Sequence, residues 1–456
     1  MTGAGVNLRL SIRLQRLTGV QNDEAPAVVW ALLYVIALFL AYYVLRPIRD
    51  ELGMASGVAN LPWLFTGTLI VMLVVSPLFA LAVRNLPRRQ FIALTYRFFA
   101  VNLVVFALLL HFAGPDWQVW VGRAFFIWVS VFNLFVISVF WSFIVDIFDS
   151  EQGKRLFGLL AAGATVGGLL GSALTSVLVE NIGLSWLIAF SIVFLEVAVL
   201  ASRRLTFIAK SFEHPARDGD TSKPLGGGIF TGLIHTIRSP YLAGLALFIL
   251  LYSLTSTFLY FQQANIAQEY FSDRAARMAF FANIDLMVNA ITLALQLFVT
   301  GRLIGYLGVA VTLCILPVIS VAGFAALAAS PTTTVLVIAQ VGRRAANFAL
   351  ARPAREILFT SSVREDRYKA KNFIDTVVYR GGDQVASWGY AGLMGLGLGL
   401  TQMAVIAVPL SVCWLVLSIW LGRSHKRQET LAVSSGEVKP LLCAGAKSPL
   451  TKRTLE

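Results

Sequence analysis

Charged side chains are scarce in this 456-residue sequence. Asp, Glu, Lys and Arg make up 13% of the residues, whereas about 25% is usual for a soluble domain. Hydrophobic residues make up 57%, and the mean hydropathy is +0.75. Because so few charges cannot cover a water-facing surface over this length, the composition excludes a soluble enzyme and the disordered and fibrous classes.

Cysteine and histidine are also rare, with three and four residues. Cys314, Cys413 and Cys443 are far apart in the sequence, which excludes a disulfide framework and a Cys-rich metal site. A Gly-Lys-Ser phosphate-binding loop and a nucleophile triad are missing as well. The sequence therefore predicts no metal, no cofactor and no ATP-driven pump, and it disfavours an integral-membrane enzyme.

Long apolar runs dominate what is present. A bilayer core of roughly 30 Å is crossed by about 20 apolar residues in a helix. Twelve such runs, spans 1 to 12, occur at about 26–45, 61–83, 91–112, 119–145, 156–179, 184–201, 241–260, 279–300, 309–329, 333–359, 372–398 and 401–421. They predict an all-α integral membrane protein with twelve transmembrane helices in two six-helix pseudo-symmetric halves. Such a duplication is typical of secondary transporters.

Polar segments divide the chain further. Residues 202–240 contain Gly226-Gly227-Gly228, Pro215 and Pro224, which indicates a linker whose residues 205–235 are open to proteases from the cytoplasmic side. Both tails are too short to hold an enzyme domain of ordinary size. The predicted organisation is an N-terminal tail (1–25), an N-terminal half (26–201), the linker (202–240), a C-terminal half (241–421) and a C-terminal tail (422–456).

Lys and Arg in the connecting loops predict the orientation. The net charge is +13, and sixteen basic residues lie in connections on the side of the N-terminus. Only four lie in connections on the other side: Arg46, Arg49, Arg274 and Arg277. The positive-inside rule then places both termini in the cytoplasm. Because the membrane accounts for the basic excess, no nucleic-acid partner is expected.

Arginines inside the predicted spans indicate a site. An ionisable side chain near the bilayer centre costs about 2.5–3.5 kcal/mol, so those that persist face a cavity or a partner. Guanidinium forks bind phosphate or carboxylate through two hydrogen bonds. The arginines inside the spans, together with Arg46 and Arg49 at the end of span 1, predict an anion cavity lined by spans 1, 4, 5, 7, 8, 10 and 11. All seven intramembrane cations are arginines: Arg97, Arg123, Arg343, Arg344, Arg352, Arg355 and Arg380.

Two of the charged positions have alternative interpretations. Arg380, at mid-membrane depth like Arg343, either binds the anion or pairs with Asp383, three residues later on the same helix face. Asp285, which shares a helix face with Asn289, is either a proton-coupling group or the partner of an arginine in a neighbouring span. The sequence leaves both choices open.

Three ordered segments resemble a known family. They are residues 43–53 (YVLRPIRDELG); residues 140–143 (FWSF) with 151–157 (EQGKRLF); and residues 351–356 (ARPARE) with 368–371 (YKAK) and 374–378 (IDTVV). These segments are similar to the ATP/ADP translocases of plastids and intracellular bacteria and their broader bacterial relatives, a divergent branch of major-facilitator-type carriers. The resemblance implies a carrier fold, nucleotide exchange and a place in the bacterial inner membrane.

The resemblance also implies roles for single residues. Two lysines that function in the family fall on Arg49 and Lys371. A family glutamate falls on Val129, and Asn133 is the nearest polar side chain. The resemblance therefore adds Lys371 and Asn133 to the candidate substrate contacts.

Together these observations predict a monomeric secondary active transporter that works by alternating access. Its partner is a small organic anion or a phosphorylated solute such as a nucleotide. The alternatives are a proton-coupled exporter of a siderophore or drug, and a non-transporting membrane receptor with paired charges and no central cavity. Predicted substrate-binding residues are Arg46, Arg49, Asn133, Arg343, Arg344, Lys371 and Arg380; predicted coupling or gating residues are Asp50, Asp285, Arg352, Arg355, Glu356, Asp375 and Asp383.

Overall fold

The structure is a computed structural model that describes residues 20–21, 24–85, 88–148, 150–209, 236–360, 370–371 and 373–434. Within these ranges every regular element is a helix. The prediction of an all-α integral membrane protein is confirmed. The α-helices are α1 (Ala25–Met54), α2 (Leu61–Asn85), α3 (Arg88–Phe112), α4 (Pro115–Ile147), α5 (Ser150–Ala209), α6 (Pro240–Tyr270), α7 (Arg274–Phe298), α8 (Thr300–Ala329), α9 (Thr333–Ala346), α10 (Arg352–Thr360), α11 (Tyr379–Gly395) and α12 (Leu400–Ser434).

Short non-α segments connect some of these helices. A 3-10 turn, Val58–Asn60, precedes α2. Two π-helical segments, Asn347–Ala351 and Ile374–Val378, lie between α9 and α10 and directly before α11. The α9–π–α10 stretch covers predicted span 10, and the π–α11 stretch covers predicted span 11. Both of these spans therefore contain a break in regular α-helical hydrogen bonding.

Apolar helix surfaces identify a multi-pass membrane protein. Nine helices in the described ranges are long and apolar enough to cross a bilayer. Their outer faces carry large apolar side chains such as Leu73, Val101 and Trp186, each more than half exposed. Lipid, unlike water, solvates such a surface without penalty. The predicted number of twelve spans stays a prediction.

Helix α5 contains two crossings joined at a glycine. Gly183 has φ 75° and ψ 175°, a backbone conformation that L-residues with a side chain rarely adopt. On one side of it, Gly171 contacts the Leu40 carbonyl of α1. On the other side, the Ser191 hydroxyl donates to the Ala41 carbonyl at 3.2 Å. Since residues before and after Gly183 meet α1 at the same level, the chain reverses direction there, as predicted for spans 5 and 6.

Apolar side chains of both halves meet at one end of the bundle. The near side is defined here as the end where α1 and α5 begin, marked by the ion pair between Glu24 and Arg155 at 2.7 Å. The far side is the end where α1 finishes. An apolar cluster at the far side contains Met54 and Phe126 of the N-terminal half and Phe258 and Phe281 of the C-terminal half. The halves are thus packed against each other at the far side.

Two helices continue past the predicted domain boundaries. Helix α5 reaches Ala209, beyond the predicted start of the linker at 202, and α12 reaches Ser434, beyond the predicted end of the C-terminal half at 421. A helix can continue through polar residues beyond the apolar run that marks its span. Hydropathy alone therefore placed both predicted boundaries before the helix ends. The linker core at 210–235 and most of both tails lie outside the described residues.

Glycine brings α1 and α5 into close contact. A Cβ atom added at Gly167 would lie 2.5 Å from the Ile36 carbonyl oxygen, and one at Gly171 would lie 2.6 Å from the Leu40 carbonyl oxygen. Both obstacles are backbone atoms, which cannot rotate away. This is the close approach that small residues at four-residue spacing permit in membrane helices.

We expect Gly171→Ala to separate α1 from α5 and to lower the free energy of unfolding by about 1–3 kcal/mol, the usual effect of overpacking. Gly158→Ala is the matched control, because nothing lies within 4 Å of a Cβ at that position of the same helix. Thermal unfolding of both variants in one detergent measures the difference. Equal stability of the two variants would contradict the close α1–α5 contact.

Candidate functional site

A cavity of 170 Å³ lies between the two halves. Helices α1, α2 and α4 contribute its wall from the N-terminal half, and α6 and α11 from the C-terminal half. The sequence predicted contributions from spans 1, 4, 7 and 11 but missed span 2, and spans 5, 8 and 10 do not line this cavity. The lining residues are Arg49, Phe65, Thr68, Leu69, Phe126, Ser130, Ser256, Thr257, Tyr260, Tyr379, Arg380, Asp383 and Gln384.

Arg49 enters the cavity from α1. Its Nη2 atom lies 2.5 Å from Asp50 Oδ1, and its guanidinium lies over the Phe126 ring at 5.0 Å. The Tyr260 hydroxyl of α6 donates to the same Asp50 oxygen at 3.1 Å. The Arg49–Asp50 pair of the N-terminal half is thereby connected to the C-terminal half through one carboxylate.

Arg380 enters the cavity from α11. Its Nη1 atom lies 3.6 Å from Asp383 Oδ2, so the intrahelical pairing that the sequence left open is present. The hydroxyls of Ser253 and Thr257 donate to Asp383 Oδ1 at 2.5 and 3.1 Å. Asp383 is thus anchored to α6 by two hydroxyls, while Arg380 keeps a long contact and remains partly accessible.

A second ion cluster joins α1, α7 and α9 outside the cavity wall. Asp285 is buried and forms ion pairs with two arginines of neighbouring helices: Arg46 Nη1 lies 3.3 Å and Arg344 Nη2 lies 2.6 Å from its Oδ1 atom. The structure therefore shows the salt-bridge alternative for Asp285. Two guanidinium groups share one carboxylate, so this cluster keeps one net positive charge.

Arg343 has a different environment from its neighbour Arg344. Successive residues project about 100° apart around a helix, and the two guanidinium groups consequently face different helices. Arg343 is buried against α6, where it donates to the Tyr252 carbonyl at 3.1 Å and the Thr255 hydroxyl at 3.3 Å and lies over the Tyr252 ring. Neither Arg343 nor Arg344 lines the central cavity.

The predicted gate residues of α10 meet at the near side. Lys371 Nζ lies 2.5 Å from Glu356 Oε2, and Arg355 Nη2 lies 3.5 Å from Asp375 Oδ1. The exposed Arg352 side chain lies over the Phe348 ring at 4.7 Å. Lys371, predicted as a substrate contact, is therefore part of this near-side network and not of the cavity wall.

Asn133 of α4 lies one helical turn from the cavity residue Ser130. Its Oδ1 atom is buried and has no hydrogen-bond partner among the described residues. Val129, at the position of the family glutamate, is fully buried. A polar atom without a partner at this position suits a ligand or a water, but Asn133 does not itself line the cavity.

Several polar residues of the site were missed in the sequence. Ser253, Thr257 and Tyr260 follow each other at four and three residues on span 7, a spacing that places them on one helix face. That polar stripe in an apolar span was the signal that could have identified them. Gln384 lies four residues after Arg380, on the same helix face, so that spacing could have identified it too. Thr68 carries no comparable pattern, because it has no polar residue three or four positions away on its helix.

The far side is closed by polar and aromatic contacts between the halves. Glu51 of α1 is fully buried and is bonded by Arg274 and Arg277 of α7 at 3.3 and 3.1 Å. The rings of Trp63 and Trp388 meet edge to face at 4.8 Å, bringing α2 against α11. Glu51 had no predicted role, because its partners are more than two hundred residues away in sequence.

Comparisons with known proteins identify the class of fold. No protein-family model matches the chain. No curated protein matches it either. Solved structures do match over nearly the whole chain, and they are membrane transporters of the major-facilitator type. The chain therefore has the major-facilitator-type fold.

Three of these structures give the extent of the similarity. A bacterial homolog of the human lysosomal transporter Spinster, in an inward-facing and unoccupied conformation, matches with TM-score 0.53 and 16% identity over 90% of this chain and 99% of that one. The POT family transporter PepTSo matches with TM-score 0.61 and 13% identity over 88% and 98%. A variant of the nucleoside transporter NupG matches with TM-score 0.56 and 12% identity over 88% and 99%.

We expect Glu51→Gln to lower the free energy of unfolding by about 3 kcal/mol, because the fully buried side chain then no longer supplies an anion to the partly buried guanidinium of Arg277. Glu180→Gln is the matched control, since Glu180 is an exposed acid near the far end of the same half. Thermal unfolding of both variants measures the effect. If Glu51→Gln were as stable as the control, the bridge would not hold the halves together.

Proposed function

We propose that this protein is a secondary active transporter that moves a small organic anion or phosphorylated solute by alternating access. The observation that carries the proposal is the central cavity, where Arg49 of one half and Arg380 of the other face the same space. Guanidinium groups from both halves can hold one anion between them. A bound anion would then contact both of the bodies that move in alternating access.

The ion pairs of the cavity supply a mechanism for exchange. Without an anion, Arg49 is held by Asp50 and Arg380 by Asp383. A substrate carboxylate or phosphate competes with Asp50 and Asp383 for these two guanidinium groups. Because Asp50 also accepts from Tyr260 of the other half, substrate binding alters a contact between the halves. A ligand that changes such a contact has different affinities for the two conformations, which is what shifts their populations.

The cavity volume supports a small substrate. Sites for drug-sized ligands enclose about 300–1,000 Å³, whereas this cavity has 170 Å³. A dicarboxylate or a small phosphate ester suits this volume better than a nucleotide does. Nucleotide exchange, which the sequence resemblance implies, requires the cavity to enlarge during the cycle.

A proton-coupled exporter is the second candidate. It is supported by Asp383, a buried carboxylate on the cavity wall whose contact with Arg380 is 3.6 Å long. When Arg380 turns to a substrate, Asp383 loses its counter-ion and becomes a group that can take up a proton. A non-transporting receptor is disfavoured by the central cavity, which that alternative lacks.

The proposed setting follows from the distribution of basic residues. With both termini in the cytoplasm of the bacterial inner membrane, the near side is the cytoplasmic side. The contacts of Glu51 and Trp63 then close the outer side. In this orientation the cavity is reached from the cytoplasm, past the network of Lys371 and Glu356.

A thermal-shift screen of the purified protein distinguishes the substrate classes. A ligand present at 100 times its dissociation constant stabilises the folded state by about 2.7 kcal/mol. We expect small dicarboxylates or phosphate esters to stabilise the protein and ATP and ADP to do so less, because of the cavity volume. Stabilisation by cationic or neutral drugs alone would refute the anion proposal and favour the exporter.

We expect Arg380→Lys to weaken binding of the stabilising anion by about tenfold, or 1.4 kcal/mol, because lysine keeps the charge but loses the bidentate fork. Arg97→Lys is the matched control, since Arg97 lies outside the cavity and pairs with Glu196 at 3.5 Å. Anion-dependent thermal shifts and uptake into proteoliposomes provide the two measurements.

A double substitution decides between the two roles of Arg380. If Arg380 binds the anion, Arg380→Ala combined with Asp383→Ala remains inactive although neither charge is left unpaired. If Arg380 only neutralises Asp383, the single variant Arg380→Ala loses folding and transport because Asp383 is left without a counter-ion, and the double variant regains both. Recovery would assign the anion to Arg49 alone.

A further inference from the structure

A second, larger cavity opens at the far side of the N-terminal half. It has a volume of 450 Å³ and lies between the start of α2 and residues 120–127 of α4. Asn60, Trp63, Trp120, Arg123 and Ala124 line it, and none of its described lining residues is acidic. It shares no lining residue with the central cavity, so the proposed transport site does not account for it. This cavity is called the far-side crevice below.

The far-side crevice lies where the bilayer surface is expected. The candidate membrane spans of its two walls are Val58–Phe79 and Pro115–Ile147. The lining residues lie at the start of the first span and in the second to fourth turns of the second. Arg123 is eight residues after Pro115, about 12 Å along the helix. Tryptophan is enriched at this level because its ring is apolar and its N–H is polar. The crevice is therefore at the boundary between hydrocarbon and headgroups.

The charge of Arg123 has no carboxylate partner within the described ranges. Its guanidinium lies over the Trp120 ring at 4.6 Å, and its Nε atom contacts the Ser56 hydroxyl at the long distance of 3.5 Å. The remaining N–H groups of the Arg123 guanidinium have no hydrogen-bond acceptor among the residues that the structure describes. A cation at the hydrocarbon boundary needs an anion, and a phosphate group matches the planar fork.

We propose that the far-side crevice binds an anionic phospholipid of the surrounding bilayer, with its phosphate on Arg123 and its glycerol and first acyl carbons between Trp63 and Trp120. Both tryptophans are more than three-fifths exposed, so lipid reaches them without any opening of the protein. Because Arg123 is the one charged group among the described lining residues, the second cation of a zwitterionic headgroup would be repelled there. Selection is therefore for net negative charge.

The proposed lipid site adjoins the far-side closure. Trp63 forms one wall of the crevice and also meets Trp388 of the other half, whose indole N–H donates to Thr66 at 3.0 Å. A lipid in the crevice thus contacts a residue that joins the halves. The site stands independently of the proposed substrate, because its ligand comes from the bilayer.

Native mass spectrometry tests the proposal on the full-length protein. The protein is released from vesicles of equal phosphatidylglycerol and phosphatidylcholine, and the retained lipids are counted. We expect retention of phosphatidylglycerol over phosphatidylcholine, and a loss of that preference by about tenfold in Arg123→Gln. Arg97→Gln, which removes a half-exposed arginine from another membrane-level position, is expected to keep the preference. Unchanged preference in Arg123→Gln would overturn the proposal.

A second variant separates the crevice from simple surface charge. Ala124→Leu keeps Arg123 but fills the space between α2 and α4, and we expect it to reduce retention of phosphatidylglycerol as strongly as Arg123→Gln. If Ala124→Leu left the retention of phosphatidylglycerol unchanged, the effect of Arg123 would be a general attraction of anionic lipids to a positive surface, and binding in the far-side crevice would be contradicted. Displacement of the lipid by millimolar glycerol phosphate would show a soluble-anion site instead and would also overturn the proposal.

Discussion

The high free energy of an unpaired charge in a medium of low dielectric constant governs this structure. Twelve hydrophobic runs can pack in many ways, but the arginines within them can be satisfied in few. Asp285 forms ion pairs with both Arg46 of the first half and Arg344 of the second half. Glu51 of the first half forms ion pairs with Arg274 and Arg277 of the second half at the far side. These pairs decide which faces of the two halves meet, and thereby where the central cavity lies.

Patterns that are local in sequence predicted the structure well. The spacing of Arg380 and Asp383 offered their pairing as one of two alternatives, and the structure shows that pair. Partners distant in sequence could not be predicted, because any of several arginines could have met Asp285. Neighbours along the chain were also misleading. Arg343 and Arg344 were both predicted to bind the substrate, but consecutive residues project about 100° apart around a helix, and one contacts α6 whereas the other contacts α7.

The π-helical segments add a feature that hydropathy does not encode. Asn347–Ala351 follows the two arginines of α9, and Ile374–Val378 precedes Arg380 of α11. Each segment lets one carbonyl skip its usual partner and rotates the residues beyond it relative to a regular helix. The face on which Arg380 lies therefore depends on a break whose position no apolar pattern reveals. This is also why residue counting predicts a depth for Arg380 but not the helix that it faces.

The ion pairs differ in how readily a ligand can replace them. Glu51 is fully buried and is held by two arginines from the opposite half, so its replacement requires the halves to separate. Arg49 and Asp50 are consecutive residues, which do not face each other on a helix, and they meet only because the arginine side chain bends back. In the proposed cycle, a substrate oxygen takes the place of Asp50 while both helices stay where they are. A carboxylate–guanidinium pair thus joins the halves at the far side and, in the proposed cycle, exchanges with the substrate in the cavity. The difference is that Glu51 and its arginines belong to opposite halves, whereas Arg49 and Asp50 are consecutive residues.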